Sequence, residues 1–361
     1  MHDPVKRELS FVQSIREGLD QAMEADSRVV LIGEGVPDPK AIFYSTQGLR
    51  EKYGAQRVFD MPLSENGMTG ICIGAALSGM RPVMVHQRID FALLAMDQLV
   101  NNAAKWHYMF DGKVNVPLVV RVIVGRGWGQ GPQHSQSLQA MFAQVPGLKV
   151  VMPTTAYDAK GMLIAAIEDN NPVIFIEHRW VHHVIDNVPQ EPYRVPLDRA
   201  KSRHQGDKVT VAAFSYMVVE ALMAARALSA QSINVDVIDM RSVRPLDIDA
   251  VLESVKKTGR LLVADTAFKM GSVAGELISQ VVERAFADLK AAPVRIASPD
   301  HPVPTSHFMA DDYYPSALSI ADAVLDLVGI KKSEIDYKLL QAALTWKGPL
   351  DVPNKEFAGP F

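Results

Sequence analysis

Short runs of apolar residues alternate with longer amphipathic segments along most of the chain. Runs rich in Val and Ile predict buried strands, and segments with a 3.6-residue hydrophobic period predict helices. In the first half, strands are predicted over 28–33, 81–86, 116–124, 149–152 and 172–176, and helices over 9–25, 67–78, 91–109 and 156–169. Strands separated by helices are typical of a parallel sheet covered on both faces, so the predicted fold class is α/β.

The pattern lapses near residues 182–205, where three prolines and mixed charges predict an interdomain linker over 186–206. A second α/β alternation follows, with strands over 209–213, 235–240, 261–264 and 294–297 and helices over 218–228, 247–257, 272–286 and 317–327. We therefore expect two parallel-sheet domains, 1–185 and 207–330. The tail, 331–361, is less patterned, and Trp346 is expected to dock it on the body.

Composition narrows the class of protein. The chain has 361 residues, of which 48% are hydrophobic, and this is enough for two packed domains. The net charge of −4 does not favour a nucleic-acid or membrane-surface partner. Cys72 is the single cysteine, so no disulfide can form within the chain, and we expect a reducing, cytoplasmic setting. No run of about 18 apolar residues predicts a membrane span, and we expect no signal peptide.

Glycine spacing excludes the common nucleotide-binding loops. The chain has no GxxxxGK[ST] sequence, and no GxGxxG cleanly follows a predicted strand. The sequence GRGWGQG, residues 125–131, does follow a strand, but its glycines alternate without the Rossmann spacing. We interpret it as a flexible active-site loop, and a plain long βα loop is the alternative.

Two groups of histidines could carry chemistry. His134, in GPQHSQ, lies just past the glycine loop and before an apparently helical segment over 137–144. Ligands bind near the carboxyl ends of strands in parallel sheets, and the pKa of histidine suits proton transfer near neutrality. A purely structural role is the alternative. His178, His182 and His183, in EHRWVHH, have no cysteine or carboxylate set to complete a metal site, so a solvated loop is the preferred interpretation.

Glu65 stands in FDMPLSENGMTGICIGAA, at the edge of a run of small apolar residues. If a helix begins there, the carboxylate could satisfy backbone N–H groups and the helix dipole. It could instead be a partly buried acid that binds a ligand and holds a proton, because burial raises the pKa of a carboxyl group. Position alone leaves these two interpretations about equal.

Six stretches of the sequence occur in a characteristic order. They are VVLIGEGV, RVFDMPLSENGMTGICIGAA, AMDQLVNNAAKWHYM, PQHSQSLQAMFAQVPGLKVVMP, YDAKGMLIAAIEDNNPVIFIE and VDVIDMRSVRPLD. Together, over residues 5–330, the chain resembles the beta subunit of thiamine-diphosphate-dependent 2-oxo acid dehydrogenases of the pyruvate and branched-chain type, in the transketolase superfamily. The resemblance implies a transketolase-like pyrimidine-binding domain followed by a transketolase C-terminal-type domain.

The resemblance also implies roles for individual residues. Glu65 would bond N1′ of the cofactor's aminopyrimidine and favour the imino tautomer, whose exocyclic nitrogen removes the thiazolium C2 proton. Phe91 would pack on the pyrimidine, Glu34 would lie close to the cofactor, and His134 would act near the reacting carbon. A structural potassium ion would be held largely by main-chain oxygens. The matching positions are Leu118, Ala166, Ile167, Asp169 and Asn171.

The diphosphate-binding signature of this superfamily, GDG followed by NN, is missing. The only Gly-Asp pair, at 206–207, continues into a predicted strand. The resemblance therefore implies a separate alpha subunit that binds the diphosphate and Mg²⁺, in an α2β2 assembly that shares the cofactor.

Departures from the family pattern leave the substrate and acceptor open. HQRIDF places Arg88 and Asp90 just before the aromatic position, and VADTAF replaces the usual VEE or VEG. The first hypothesis is a dehydrogenase subunit that decarboxylates a small 2-oxo acid and passes the acyl unit to lipoamide on a lipoyl acyltransferase. The alternatives are half of a split transketolase-like enzyme that joins the unit to another carbonyl, and a non-catalytic scaffold for an alpha-like partner.

Overall fold

The computed structural model of the protein describes residues 7–40, 42–125, 130–310 and 312–345. The described residues divide into two compact units. The first unit comprises residues 7–124 together with Met141–Leu197. The second comprises Gly125–Ala140 and residues 198–345. The expected domain bounds at 185 and 207 remain predictions.

Parallel strands form the core of the first unit. Its strands are β1 (Glu8–Ser10), β2 (Val29–Gly33), β3 (Val58–Phe59), β4 (Arg81–His86), β5 (Val119–Val124), β6 (Lys149–Val151), β7 (Val173–His178) and β8 (Ile185–Asn187). The main sheet runs in the order β6-β7-β5-β4-β2-β3, and all of these pairs are parallel. Every residue of β2, β5 and β7 is buried, which explains their nearly continuous apolar sequences. A separate pair, β1 and β8, is antiparallel.

Helices follow most strands of the first sheet. They are α1 (Phe11–Ala25), α2 (Leu49–Tyr53), α3 (Glu65–Leu77), α4 (Ile89–Ala92), α5 (Trp106–Met109), α6 (Gln139–Ala143), whose first two residues belong to the second unit, and α7 (Ala156–Glu168). α1 begins with a capping box in which Ser10 and Gln13 bond each other's backbone N–H groups. The single helix predicted over 91–109 is wrong. That segment breaks into α4, a 3₁₀ turn at Leu93–Ala95, a π-helical turn at Gln98–Ala103 and α5.

The second unit has a mixed sheet that is mostly parallel. Its strands are β9 (Lys201–His204), β10 (Thr210–Ala213), β11 (Asp236–Asp239), β12 (Ser242–Arg244), β13 (Leu261–Phe268) and β14 (Val294–Ser298). Five of them form the order β14-β13-β10-β11-β9, in which only β9 is antiparallel to its neighbour. β8 and β9 lie where the apolar pattern lapses, because each is a short strand with exposed residues.

The helices of the second unit include two that the sequence pattern did not predict. The helices are α8 (Tyr216–Ser229), α9 (Ile248–Thr258), α10 (Val273–Ala285), α11 (His307–Ala310), α12 (Ala317–Val328) and α13 (Tyr337–Leu344), of which α11 and α13 were not predicted. α13 lies in the tail, begins with Asp336 accepting from the Leu339 N–H at 3.0 Å, and buries Leu340 and Leu344 in the core beneath α8 and α12. Trp346 lies outside the described residues. Across the described ranges, no helix is long and apolar enough to cross a membrane.

Candidate cofactor site

Three acidic residues meet near the carboxyl edge of the first sheet. Glu34 directly follows β2, Asp60 directly follows β3, and Glu65 begins α3. Asp60 Oδ1 accepts hydrogen bonds from the N–H groups of Gly35 at 2.9 Å and Met61 at 3.0 Å, so it ties the two loops together. Ligands bind at this edge of a parallel sheet. The cluster therefore stands where the fold class predicts a site.

The Glu65 carboxylate is buried but is not used to cap its helix. The residue is 8% exposed, and Ser64, at the N-cap position, makes no side-chain capping bond. Among the described residues, no hydrogen bond reaches the carboxylate, while the Glu65 carbonyl accepts from the Thr69 hydroxyl at 2.7 Å. The helix dipole still favours a negative charge at this end. The carboxylate is therefore available to a ligand with hydrogen-bond donors.

Glu34 has a carboxyl oxygen that the described residues leave unsatisfied. Its Oε1 is buried and has no hydrogen-bond partner. Burial raises the pKa of Glu34, and the negative charges of Glu65 and Asp60 raise it further. A buried acceptor without a donor is destabilising, and such perturbed acids concentrate at functional sites. Two such carboxyl groups fit an aminopyrimidine, whose amino group donates a hydrogen bond and whose ring nitrogen accepts one from a protonated carboxyl group.

The turn after β2 is held in place by close packing. A Cβ on Gly33 would lie 2.4 Å from the carbonyl oxygen of Val85, on the neighbouring strand β4. Only glycine permits this approach. The Gln87 amide donates to the Glu34 carbonyl at 3.1 Å. The backbone that carries Glu34 is thus fixed against the end of β4.

Phe91 lies in α4, just after β4, the strand next to β2. The Phe91 side chain is half-buried, and the backbone N–H of Phe91 donates to the Arg88 carbonyl at 3.2 Å. Arg88, at the start of α4, is only 5% exposed, and burial lowers its pKa to about 10. The structure thus places Glu34, Glu65 and Phe91 in one unit. Glu34 follows β2, Glu65 begins the helix α3 that comes after β3, and Phe91 follows β4.

His134 lies in the second unit and is exposed. It directly follows a 3₁₀ turn at Gly131–Gln133. Residues 126–129 of the predicted glycine loop lie outside the described residues. The assignment of His134 as a proton-transfer group remains a prediction.

The main-chain oxygens matched to potassium already accept hydrogen bonds. Arg81 Nη1 donates to the carbonyls of Ile167 at 2.9 Å and Asp169 at 3.0 Å. The Leu118 carbonyl accepts from the Val173 N–H at 2.9 Å. Each carbonyl has a second lone pair, so a cation could bind only by sharing these oxygens with the guanidinium. The residues therefore fit a potassium ion only in part.

Of the remaining two potassium positions, Ala166 has an engaged carbonyl, whereas Asn171 is engaged, among the described residues, only through its donors. The Ala166 carbonyl accepts from the Asp169 N–H at 3.3 Å, and the Asn171 N–H and side-chain amide both donate to Asp169 Oδ1, at 2.9 and 3.1 Å. Within the described ranges, no group of three or more His, Cys, Asp or Glu side chains could hold a metal ion.

The prediction of a solvated loop at EHRWVHH is wrong. Residues Arg179–His183 form a 3₁₀ helix, and His178, Arg179 and His182 are buried. The His182 ring stacks on Phe11 with centroids 5.7 Å apart, and burial lowers the pKa of His182 to about 4. A neutral, packed imidazole is part of the core rather than of a solvated loop.

Sequence reasoning missed the ion pair that holds this region. Arg121 in β5 and Glu177 in β7 are fully buried, with Nε–Oε1 and Nη2–Oε2 distances of 2.7 and 3.1 Å. Glu177 Oε2 also lies 3.3 Å from His182 Nε2. Burial alone would raise the pKa of Glu177, but Arg121 and His182 together lower it to about 2. A charged residue inside each of two apolar strands was the only available signal.

Comparisons with known proteins agree with these two units. The family model "Transketolase, pyrimidine binding domain" matches residues 7–181, and "Transketolase, C-terminal domain" matches residues 198–320. The solved structure "Split gene transketolase, inactive beta4 tetramer" superposes with a TM-score of 0.71 at 21% identity, covering 90% of this chain and 99% of that one. At this identity the structural likeness supports the fold alone.

Relatives at higher identity define the family. The acetoin:2,6-dichlorophenolindophenol oxidoreductase subunit beta of Cupriavidus necator is 42% identical over 327 residues, which cover 88% of this chain and 96% of that protein. The pyruvate dehydrogenase E1 component subunit beta of Rickettsia bellii is 38% identical over 325 residues, which cover 90% and 100%. The chain therefore belongs to the family of beta subunits of thiamine-diphosphate-dependent 2-oxo acid dehydrogenases, with transketolase-type pyrimidine-binding and C-terminal domains.

Proposed function

We propose that this chain activates thiamine diphosphate as the beta subunit of an enzyme that oxidatively decarboxylates a small 2-oxo acid and transfers the acyl unit to lipoamide. The observation that carries the proposal is the buried Glu65 carboxylate, unbonded among the described residues, beside the unsatisfied Oε1 of Glu34. When bound, the cofactor supplies an electron sink for the bond that breaks in decarboxylation.

The residues of this chain would hold and activate the pyrimidine end of the cofactor. Glu65 would share a proton with the N1′ ring nitrogen, where the site's burial would keep the interaction strong. Glu34 would accept a hydrogen bond through its unsatisfied oxygen, and Phe91 would pack on the ring. His134 moves a proton near the reacting carbon, as its exposed imidazole allows.

The diphosphate end requires another chain. Because GDG followed by NN is missing, we propose that an alpha subunit binds the diphosphate and Mg²⁺, that activity requires both chains, and that they assemble as α2β2. A lipoyl acyltransferase would accept the acyl unit. A potassium ion would serve only a structural role, and it would share the carbonyl oxygens of Ile167 and Asp169 with Arg81. The single, buried Cys72 agrees with a reducing, cytoplasmic compartment.

A second candidate keeps the cofactor and changes the substrate. Arg88, a buried charge before Phe91, departs from the family pattern on the substrate side. The Cupriavidus relative is named for acetoin, a hydroxy ketone. Cleavage of a hydroxy ketone is the reverse of joining an acyl unit to another carbonyl, so a carbonyl acceptor in place of lipoamide deserves a direct test.

The test uses the complex of this chain with the proposed alpha subunit. The complex is assayed with pyruvate, 3-methyl-2-oxobutanoate and acetoin, with 2,6-dichlorophenolindophenol or lipoamide as acceptor. A 2-oxo acid turned over with lipoamide supports the first candidate, and formation of acetoin and CO2 from pyruvate and added acetaldehyde supports the second. The absence of both turnover and cofactor binding would support the hypothesis of a non-catalytic scaffold.

Glu65 is tested by exchange of the cofactor's C2 proton, measured by NMR after quenching. We expect Glu65→Gln to abolish rapid exchange while the complex still assembles, because an amide cannot share a carboxyl proton with N1′. The control is Glu51→Gln, an exposed glutamate on α2. Normal exchange in Glu65→Gln would overturn its role.

His134 is tested at a later step. We expect His134→Ala to leave C2 proton exchange intact and to slow turnover roughly 100-fold, the usual contribution of a positioned proton-transfer group. An unchanged steady-state rate would remove His134 from the mechanism.

A further inference from the structure

The segment that carries His134 is fixed to the second unit at both ends. At its start, Gly131 has a φ of +61° and packs so closely that a Cβ would lie 2.4 Å from the Thr305 hydroxyl oxygen. At its end, Gln139 Nε2 donates to Asp265 Oδ1 at 2.6 Å. Eight positions separate these two contacts, so the segment between them is tethered to the second unit at each end.

Asp265 is a rigid acceptor. It is fully buried in β13, and burial raises its pKa. Its Oδ1 also accepts from the Ala267 N–H at 3.2 Å, which fixes the orientation of the carboxyl group. The strand residues before it, 261–264, are completely buried. Gln139 is therefore held by the interior of a sheet and not by a loop.

His134 lies on the exposed part of this anchored segment. It stands three residues after Gly131 and five before Gln139, and its neighbours Ser135 and Ser137 are buried. Both buried serines follow His134, whereas Pro132 and Gln133 before it are exposed, so the buried side after His134 restrains the backbone that carries it. A displacement of about 1 Å in a reacting group can reduce the rate roughly 100-fold, so the anchors matter for any chemistry at His134.

We propose that Asp265, acting through Gln139, is a positioning residue that holds the His134 segment in its productive place. The proposal rests on the proposed role of His134. It assigns to two buried residues, 126 positions apart in the sequence, a function that neither can have alone. Neither residue is required to touch substrate or cofactor.

The experiment measures kcat, KM and C2 proton exchange of the complex with the alpha subunit. Gln139→Leu is made in the wild-type and in the His134→Ala backgrounds. We expect Gln139→Leu to lower kcat roughly 10-fold or more in the wild-type background, with exchange unchanged. In the His134→Ala background it should cause no further loss, because the group being positioned is already absent.

Rescue distinguishes positioning from general stability. Asp265→Asn keeps an oxygen that accepts from Gln139, and we expect it to retain most of the kcat that Asp265→Ala loses. Gln280→Leu is the matched control for Gln139→Leu, because its amide donates only to Glu276 on the same helix. It should leave kcat unchanged. Unfolding temperatures are recorded for every variant.

Two results would overturn the proposal separately from the proposed function. If His134→Ala slows turnover but Gln139→Leu does not, Asp265 does not position His134. If Gln139→Leu causes the same fold-loss in both backgrounds, it acts on the fold and not through His134. If His134→Ala itself leaves the rate unchanged, the role of His134 fails and this proposal fails with it.

Discussion

Replacing Glu177 by Gln isolates the stabilising effect of the buried ion pair in the first sheet. The substitution keeps the size of the side chain and removes its charge. Arg121 would then be a guanidinium with 0% side-chain exposure and no carboxylate facing its Nε and Nη2 atoms. The adjacent His182 cannot compensate, because an imidazole supplies no negative charge in either protonation state.

Removing one partner of such a buried pair destabilises a protein by about 3–5 kcal/mol, since the remaining charge stays desolvated. By contrast, Glu168→Gln disrupts an ion pair with Arg194 whose side chains are about half exposed, and we expect a loss below about 1 kcal/mol. Replacing both buried charges, in Arg121→Met with Glu177→Leu, should recover most of the stability. The effects of the two substitutions on the free energy of unfolding are therefore expected to be strongly non-additive.

The free energy of unfolding is measured by urea titration, followed by circular dichroism and tryptophan fluorescence. The stabilisation from Glu177 should be present above pH 4.5, its ordinary pKa, and be lost as pH falls towards about 2, because folding lowers the pKa. Glu177→Gln should lack this acid-dependent loss. A destabilisation no larger than that of Glu168→Gln, or a double variant as unstable as the two single variants summed, would refute the reasoning.

Three further predictions concern stability. Lys160→Met should destabilise the first unit by about 3 kcal/mol in urea titration, because the buried ammonium donates to Glu17 Oε1 at 2.6 Å and to three main-chain carbonyls; a loss under about 1 kcal/mol would contradict this. Glu34→Gln should raise the unfolding temperature by about 1–2 °C at pH 8 and not at pH 4, because its raised pKa makes ionisation above pH 4.5 unfavourable to folding. Leu340→Ala should cost about 2–4 kcal/mol, whereas Leu339→Ala, at a position 58% exposed, should be nearly neutral; equal effects would place α13 off the core.

Nine of the fourteen strands in the described ranges were predicted, because a buried run of Val and Ile is a local signal, whereas the short strands β1, β3, β8, β9 and β12 were not. β4 begins and ends where the apolar pattern predicts, at Arg81 and His86. The break in the helix after β4 was not predictable, since a π-turn differs from an α-helix only in which carbonyl each N–H reaches. Here the Ala104 N–H donates to the Leu99 carbonyl, five residues earlier, at 3.0 Å. No residue type marks that choice.

The candidate site also has parts that sequence reasoning could predict and parts that it could not. Glu65 could be singled out because it stands at the edge of an apolar run, but its role, like the choice of Glu34 after the first strand, came from the family resemblance. The pairs Arg121–Glu177 and Gln139–Asp265 could not be found, because their members are 56 and 126 positions apart and meet only when the sheets form. A charge in an apolar strand shows that a partner exists but does not identify it.

The π-helical turn at Gln98–Ala103 also has an evolutionary consequence. Such a turn contains one residue more than an α-helical turn would, and each residue of an α-helix rotates the chain by about 100°. A deletion of one residue here can be absorbed by rewinding the turn, while α5 beyond it stays in place. Relatives should therefore tolerate the deletion of one residue inside this helical segment.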